Sequence, residues 1–178
     1  MLDAALRLAR RDGYAAVTVK GIAQEAGVGR QTVYRWWASR AAVLLEAVGE
    51  LARGTVAPEP SRDAAADLRA LLRSTFALAE DVGRVVVGLM ADASGDPEFL
   101  AALQEGLLGP RRAVVDEILE RGRRAGQFGD AFDTALVTDM IWGTMWYRLL
   151  SRHAPVDARL ADELTGAAAR LLGAHPEG

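Results

Sequence analysis

A chain of 178 residues, 51% of them hydrophobic, can bury a sizeable core. The absence of cysteine excludes disulfides and thiolate metal sites, and no apolar run reaches the roughly eighteen residues that a membrane span needs. The net charge of −3 is unevenly spread: residues 1–53 carry eight basic and five acidic side chains, residues 54–178 thirteen and nineteen. A basic head on an acidic body fits an anionic partner at one end only.

The predicted elements are helical throughout. Leu2, Ala5, Leu6 and Ala9 recur at helical spacing, with Arg7, Arg10 and Arg11 opposite. Gly13 closes this helix. Thr18 is a candidate N-cap for a second helix with Val19, Ile22, Ala23 and Ala26 inward. Gly27-Val28-Gly29 forces a turn, a third short helix runs from about Arg30 to Trp37, and Ser39 caps a fourth from about Arg40 to Arg53. The segment 54–61, with Pro58 and Pro60, is a boundary because proline interrupts helices. It divides the chain into domains of 1–53 and 54–178.

Beyond it, Leu68, Leu71, Leu72, Thr75, Phe76 and Ala79 mark one helix. The run Val85–Met90 reads as helix because nothing nearby could pair with it as a strand. Asp92 or Asp96 begins the next element, with Leu100, Leu103 and Leu107 on one face, and Gly109-Pro110 should break or kink it. Val114, Ile118 and Leu119 continue up to Gly126, and two further helices cover about 133–152 and 157–173. The expected fold is all-α: an N-terminal three-helix domain joined by a helix to a C-terminal helical bundle. The start, Met1-Leu2-Asp3-Ala4, does not read as a secretory signal, so a cytoplasmic location is expected.

Residues 18–37 meet the requirements of a helix-turn-helix, two short helices joined at a glycine turn. Val28, Val33 and Trp37 can point inward. Gln31 with Arg35, and Thr32 with Trp36, occupy faces left for a partner. Recognition helices touch base edges mainly through their N-terminal residues. Arg30 could read guanine bidentately and Gln31 adenine. The hydroxyls of Thr32 and Tyr34 suit phosphate oxygens, and Lys20 lies toward the same side.

At Gly13-Tyr14, Thr18-Val19, Ile22-Ala23-Gln24-Glu25-Ala26-Gly27-Val28, Thr32-Val33-Tyr34-Arg35-Trp36-Trp37 and Arg40 ahead of Val43-Leu44-Leu45, the sequence resembles the TetR family of regulators. The resemblance covers roughly residues 2–50. It implies that Lys20, Arg30, Gln31, Thr32, Tyr34, Arg35 and Trp36 face DNA, and that Arg40 stands where the family has a phosphate-binding lysine. With Thr18 these form the candidate DNA-binding set. Trp37 stands where phenylalanine is usual, and Gly29 where serine is common, so the third helix lacks a side-chain cap. The implied function is a ligand-responsive repressor that binds a palindromic operator as a homodimer.

The resemblance also implies that the C-terminal domain binds an effector and dimerises. Leu136, Val137, Met140, Ile141, Trp142, Met145, Trp146, Tyr147, Leu149 and Leu150 surround the circumference of one helix, and a helix apolar all round must be covered on all sides. The last helix shows Leu160, Leu164, Ala167, Ala168 and Leu171. These point to a homodimer through about 134–173. Trp142 and Trp146 share a stripe that is either packing or, with Phe76, Met90, Leu103 and Leu107, the wall of a pocket for a small apolar effector. No cofactor and no membrane partner is expected. His153 and His175 lack partners at metal-ligand spacing, so no metal site is expected. The alternative, an enzyme or a scaffold of the same fold without DNA binding, has no catalytic constellation to support it.

Overall fold

The computed structural model describes residues 1–54 and 60–173; residues 55–59 of the boundary read at 54–61 lie outside these, as does His175. Every regular element among the described residues is helical. In chain order they are α1 (Leu2–Asp12), a 3-10 turn (Tyr14–Ala16), α2 (Val19–Glu25), α3 (Arg30–Tyr34), α4 (Arg40–Gly54), α5 (Ala64–Ala93), α6 (Pro97–Leu103), a π turn (Gln104–Leu108), α7 (Gly109–Arg124), α8 (Thr134–Ser151) and α9 (Ala158–Leu171). No helix among the described residues is long and apolar enough to cross a membrane. The elements gather into two compact units, Met1–Gly54 with Asp81–Gly109, and Thr55–Glu80 with Pro110–Gly178. Packing therefore divides the molecule differently from chain order at 53/54, because α5 contributes to both units.

The first unit is built on small residues. Ala4, Ala5, Leu8 and Ala9 of α1, Ile22 and Ala23 of α2, Val33 of α3, and Val43, Leu44, Ala47 and Val48 of α4 are buried. Thr18 caps α2 by accepting a hydrogen bond from the Gly21 N–H at 3.0 Å, and Ser39 does the same for the Ala42 N–H of α4 at 3.1 Å. Gly27, with φ +68°, makes the left-handed turn between α2 and α3. α3 ends at Tyr34 rather than Trp37, since the N–H groups of Trp36 and Trp37 both donate to the Val33 carbonyl at 3.0 Å. This tight exit brings the Trp37 indole N–H to Glu46 Oε2 on α4 at 2.7 Å. Trp37 is thus half-buried and tethered by its polar edge, while Val33 alone is the fully buried plug.

α5 fuses two segments read separately from the sequence. Leu71, Thr75, Ala79, Val82, Val85, Leu89 and Ala93, all buried but half-buried Ala79, advance by three or four residues without a break in phase. That continuity outweighs Gly83 and Gly88, each costing about 1 kcal/mol in helix propensity. Asp96 caps α6 by accepting from the Glu98 and Phe99 N–H groups at 3.1 and 3.0 Å. The expected break at Gly109-Pro110 is resolved by the π turn just ahead of it. Pro110 has no N–H and would clash with the carbonyl four residues earlier, that of Gly106, so the helix widens there. The Gly106 oxygen would lie 3.4 Å from a Cβ on Gly49, which is how closely α4 passes.

The second unit closes on Leu68, Leu71, Leu72 and Phe76 of α5, Val115, Ile118 and Leu119 of α7, Val137, Ile141 and Met145 of α8, and Leu160, Ala161 and Ala168 of α9. Phe128 lies against α7 so tightly that a Cβ on Gly122 would stand 2.4 Å from its ring. Asp67 is buried here, with its side chain 5% exposed. It accepts from the Ser61 N–H at 2.9 Å and pairs with Arg121. Arg121→Ala would leave a buried, unpaired carboxylate, and its expected cost in a urea titration is about 3–5 kcal/mol. Adding Asp67→Asn should recover part of that loss; a cost below about 1 kcal/mol in the single variant would show the pair to be solvated.

Candidate nucleic-acid interface and effector core

The basic residues of the first unit fall into two groups. On α1, Arg7 pairs with Glu25 at 3.1 Å, Arg10 donates from Nε to Asp81 at 2.8 Å, and Arg11 pairs with Asp12 at 2.9 Å. These ion pairs lace the unit together. Among the described residues, Lys20, Arg30 and Arg35 form no ion pair with an acidic side chain, and all three are exposed. Thr18, Gln31, Thr32, Tyr34 and Trp36 are exposed beside them, Tyr34 at 57% and Trp36 at 67%. Large aromatics in water are costly unless something covers them. The Arg35 guanidinium lies 5.8 Å from the Trp36 ring centroid.

An open concavity gathers Thr18, Val19, Lys20, Arg30, Tyr34 and Arg40 along its walls. Eight of the nine candidate residues, all but Arg40, are exposed. Arg40 is the departure. It is half-buried, and its Nη1 donates to the carbonyls of Tyr14, Ala15 and Val17 at 3.0, 3.0 and 3.1 Å. Its guanidinium stacks 4.8 Å from the Tyr14 ring centroid and lies 3.7 Å from Asp92. In this structure, Arg40 ties the 3-10 turn to the start of α4, and its charge is partly answered by Asp92.

Tyr14 completes this cluster. Its hydroxyl donates to Asp92 at 2.6 Å, and burial, reinforced by that bond, pushes the phenol well above its ordinary pKa. A Cβ on Gly88 would stand 2.3 Å from the Tyr14 ring, so only glycine leaves the notch in which the ring sits. The end of α5 and the 3-10 turn are therefore locked together by shape and a hydrogen bond, and Arg40 of α4 joins the turn through its cation–π contact with Tyr14. Sequence reading used Gly13-Tyr14 only as a motif. No spacing rule links Tyr14 to Gly88 or Asp92, which lie more than seventy residues away.

Two family descriptions match this chain: "Bacterial regulatory proteins, tetR family" over residues 1–47, and "Tetracyclin repressor-like, C-terminal domain" over residues 58–168. The chain belongs to the TetR family. As a TetR-family protein it is a DNA-binding transcriptional regulator, and neither description is of an enzyme. It is similar to the helix-turn-helix transcriptional regulator YdeS of Bacillus subtilis, 29% identical over 154 residues, 84% of this chain and 76% of that protein. The structure of the TetR-family regulator SCO0332 is 30% identical, covers 98% of this chain and 96% of its own, and has a TM-score of 0.78. FadR of Bacillus subtilis, solved with stearoyl-CoA, shares the fold with a TM-score of 0.74 at 21% identity, covering 98% of this chain and 97% of its own.

The candidate effector residues divide between the units of this TetR-family regulator. Phe76, Trp142 and Trp146 belong to the second, Met90, Leu103 and Leu107 to the first. Phe76 is fully buried in the core, and Trp142 and Trp146 pack against it half-buried. Leu103 and Leu107 are also buried, and Met90 is half-buried. Two polar atoms in the second unit have no hydrogen-bond partner, Thr75 Oγ1 and Trp142 Nε1. A buried polar group left unsatisfied costs about 1–3 kcal/mol, and native cores hold few of them.

α8 presents two faces of opposite character. Val137, Thr138, Ile141 and Met145 are buried. On the other side Leu136, Met140, Tyr147 and Leu150 are 49%, 47%, 65% and 61% exposed. With exposed Gly143 these positions advance by four, three, four and three residues, which keeps them on one straight stripe. Leu160 and Ala168 of α9 are consumed by their own core, and Leu164 packs against it, so most of the face read as partner-seeking is already covered. His153 is exposed, bonded to Ser151 Oγ at 2.6 Å and set against the Tyr147 ring.

Proposed function

We propose that this TetR-family regulator is a homodimeric repressor, released from a palindromic operator by a small apolar effector bound in its C-terminal domain, 54–178. The observation that carries the dimer is the exposed stripe of Leu136, Met140, Gly143, Tyr147 and Leu150 on α8. A continuous apolar stripe of this length on an isolated protomer calls for cover, and two copies related by a two-fold axis supply it with the same surface. The α8 helix lies within the interval 134–173 expected from the sequence, and α9 contributes less than expected.

On DNA, α3 enters the major groove from its N-terminal end. Arg30 reads guanine and Gln31 adenine. Thr18, Lys20, Thr32, Tyr34 and Arg35 hold phosphates, and Trp36 covers the sugar edge. Arg40 acts mainly by holding the 3-10 turn that borders this surface. Two such heads engage half-sites about one helical turn, or a multiple of it, apart. An effector that binds better to a dimer with displaced heads lowers operator affinity by that difference.

Long-chain acyl compounds are the first effector class to try. Bacillus subtilis FadR was solved with stearoyl-CoA and Thermus thermophilus FadR with lauroyl-CoA, and the Bacillus subtilis fatty acid metabolism regulator is 26% identical over 82% of this chain. The test uses full-length protein on a duplex enriched from a random pool. Lauroyl-CoA should dissociate the complex in a mobility-shift titration. A complex that persists while lauroyl-CoA is bound would remove the release mechanism.

A further inference from the structure

The two orphaned polar atoms differ from their counterparts elsewhere in the protein. Helical hydroxyls here satisfy themselves locally: Thr144 donates to the Met140 carbonyl at 2.7 Å, Thr165 to Ala161 at 2.8 Å, Ser74 to Leu71 at 2.9 Å. Thr138 reaches Asp116 Oδ1 at 2.6 Å. The Trp37 indole N–H has Glu46. Thr75 is only 7% exposed and could donate to the carbonyl of Leu71 one turn back, yet it has no partner. Trp142 Nε1 is equally sealed from solvent and equally unpaired.

Both residues stand on helices that build one core. Thr75 lies on the α5 stripe between Leu71, Leu72 and Ala79, and Trp142 packs on the cluster that contains Phe76 and Ile141. We infer that Thr75 and Trp142 are the polar anchors of the effector site, and that the part of the effector they hold is an apolar chain bearing one uncharged hydrogen-bond acceptor, such as a ketone, ester or thioester carbonyl. The inference rests on the effector-domain reading above. An indole N–H can only donate and a threonine hydroxyl can donate, so the matching group accepts. A carboxylate at the same place would have to shed its hydration with neither of these atoms carrying a charge to answer it, which favours the neutral acceptor. Leu72, Phe76 and Ile141, members of the core that α5 and α8 build, supply apolar contact but no direction; orientation comes from the two polar atoms.

The experiment compares 2-nonanone with nonane on full-length protein, by calorimetry and by the indole N–H resonances of the four tryptophans. The ketone should bind at least about tenfold more tightly than the alkane and move the resonance that disappears in Trp142→Phe. Thr75→Val and Trp142→Phe should each remove most of that preference, read as the ratio of ketone to alkane affinity within each variant. Thr75→Ser, which keeps the hydroxyl, should restore it. Equal affinity for the two probes, or a preference that survives both variants, overturns the inference and leaves the effector domain standing. Failure of both probes to bind while lauroyl-CoA binds overturns the inference alone; failure of all three overturns the effector reading together with it.

Discussion

The double variant Met140→Asp/Tyr147→Asp is expected to sediment as a 19.0 kDa monomer and to bind operator at least about a hundredfold more weakly than the parent protein. Met140 and Tyr147 stand 47% and 65% exposed on α8, so aspartate at either place disturbs little within the protomer. Far-UV circular dichroism at low temperature should stay unchanged. In the proposed dimer the same substitutions place four carboxylates in an apolar, self-complementary contact, because a two-fold axis repeats each change. Burying an unpaired charge is far more costly than losing the apolar contact it replaces. Gly143 lies between them with nothing within 4 Å of a Cβ, which leaves room for a partner helix to approach closely. A monomer grips a single half-site and loses the millimolar-scale effective concentration that its second head enjoyed, worth about 10²–10⁴ in affinity. A dimer that survives both substitutions would place the interface elsewhere.

Arg30→Ala is expected to weaken operator binding by about 30-fold to 10⁴-fold, since a bidentate base contact is worth about 1–3 kcal/mol and a dimer makes it twice. Arg30 opens α3, is exposed and lines the same concavity as Lys20 and Tyr34. It holds none of the ion pairs that occupy Arg7, Arg10 and Arg11. The loss should come with relaxed preference at one base position of each half-site. Lys20→Ala should differ in kind. It should weaken binding evenly across sequences and lower the slope of log affinity against log salt by about one per head. If Arg30→Ala lowers only the salt slope and spares sequence preference, Arg30 is a phosphate contact and base reading lies with Gln31.

Much of the fold was legible because it rests on periodicity and local chemistry. Thr18, Ser39 and Asp96 cap the helices that their positions suggested, and Val33 faces inward as its spacing from the glycine turn requires. The exposed face of the helix-turn-helix was legible for the same reason, since a three-turn motif fixes which side chains are left over. What escaped the sequence lies between residues far apart in it. Arg40 stands where the resemblance implies a phosphate contact, and its guanidinium is held by the carbonyls of Tyr14 and Ala15 in the 3-10 turn and of Val17 just after it. The break at 109–110 became a π turn, because Pro110 lacks an N–H and would clash with the Gly106 carbonyl, so the helix widens instead of stopping. α9 looked partner-facing and is largely used by its own core. Thr75 was visible as a polar residue on an apolar stripe, but only three-dimensional neighbours reveal that its hydroxyl has no partner.

The most direct test of the regulator as described here is selection of duplexes from a random pool by the full-length protein, followed by a salt titration on the winning sequence. The account predicts enrichment of an inverted repeat, an affinity that falls steeply with salt, and loss of both with Arg30→Ala together with Tyr34→Ala. Enrichment of no sequence, or binding indifferent to salt and to those two side chains, would contradict it.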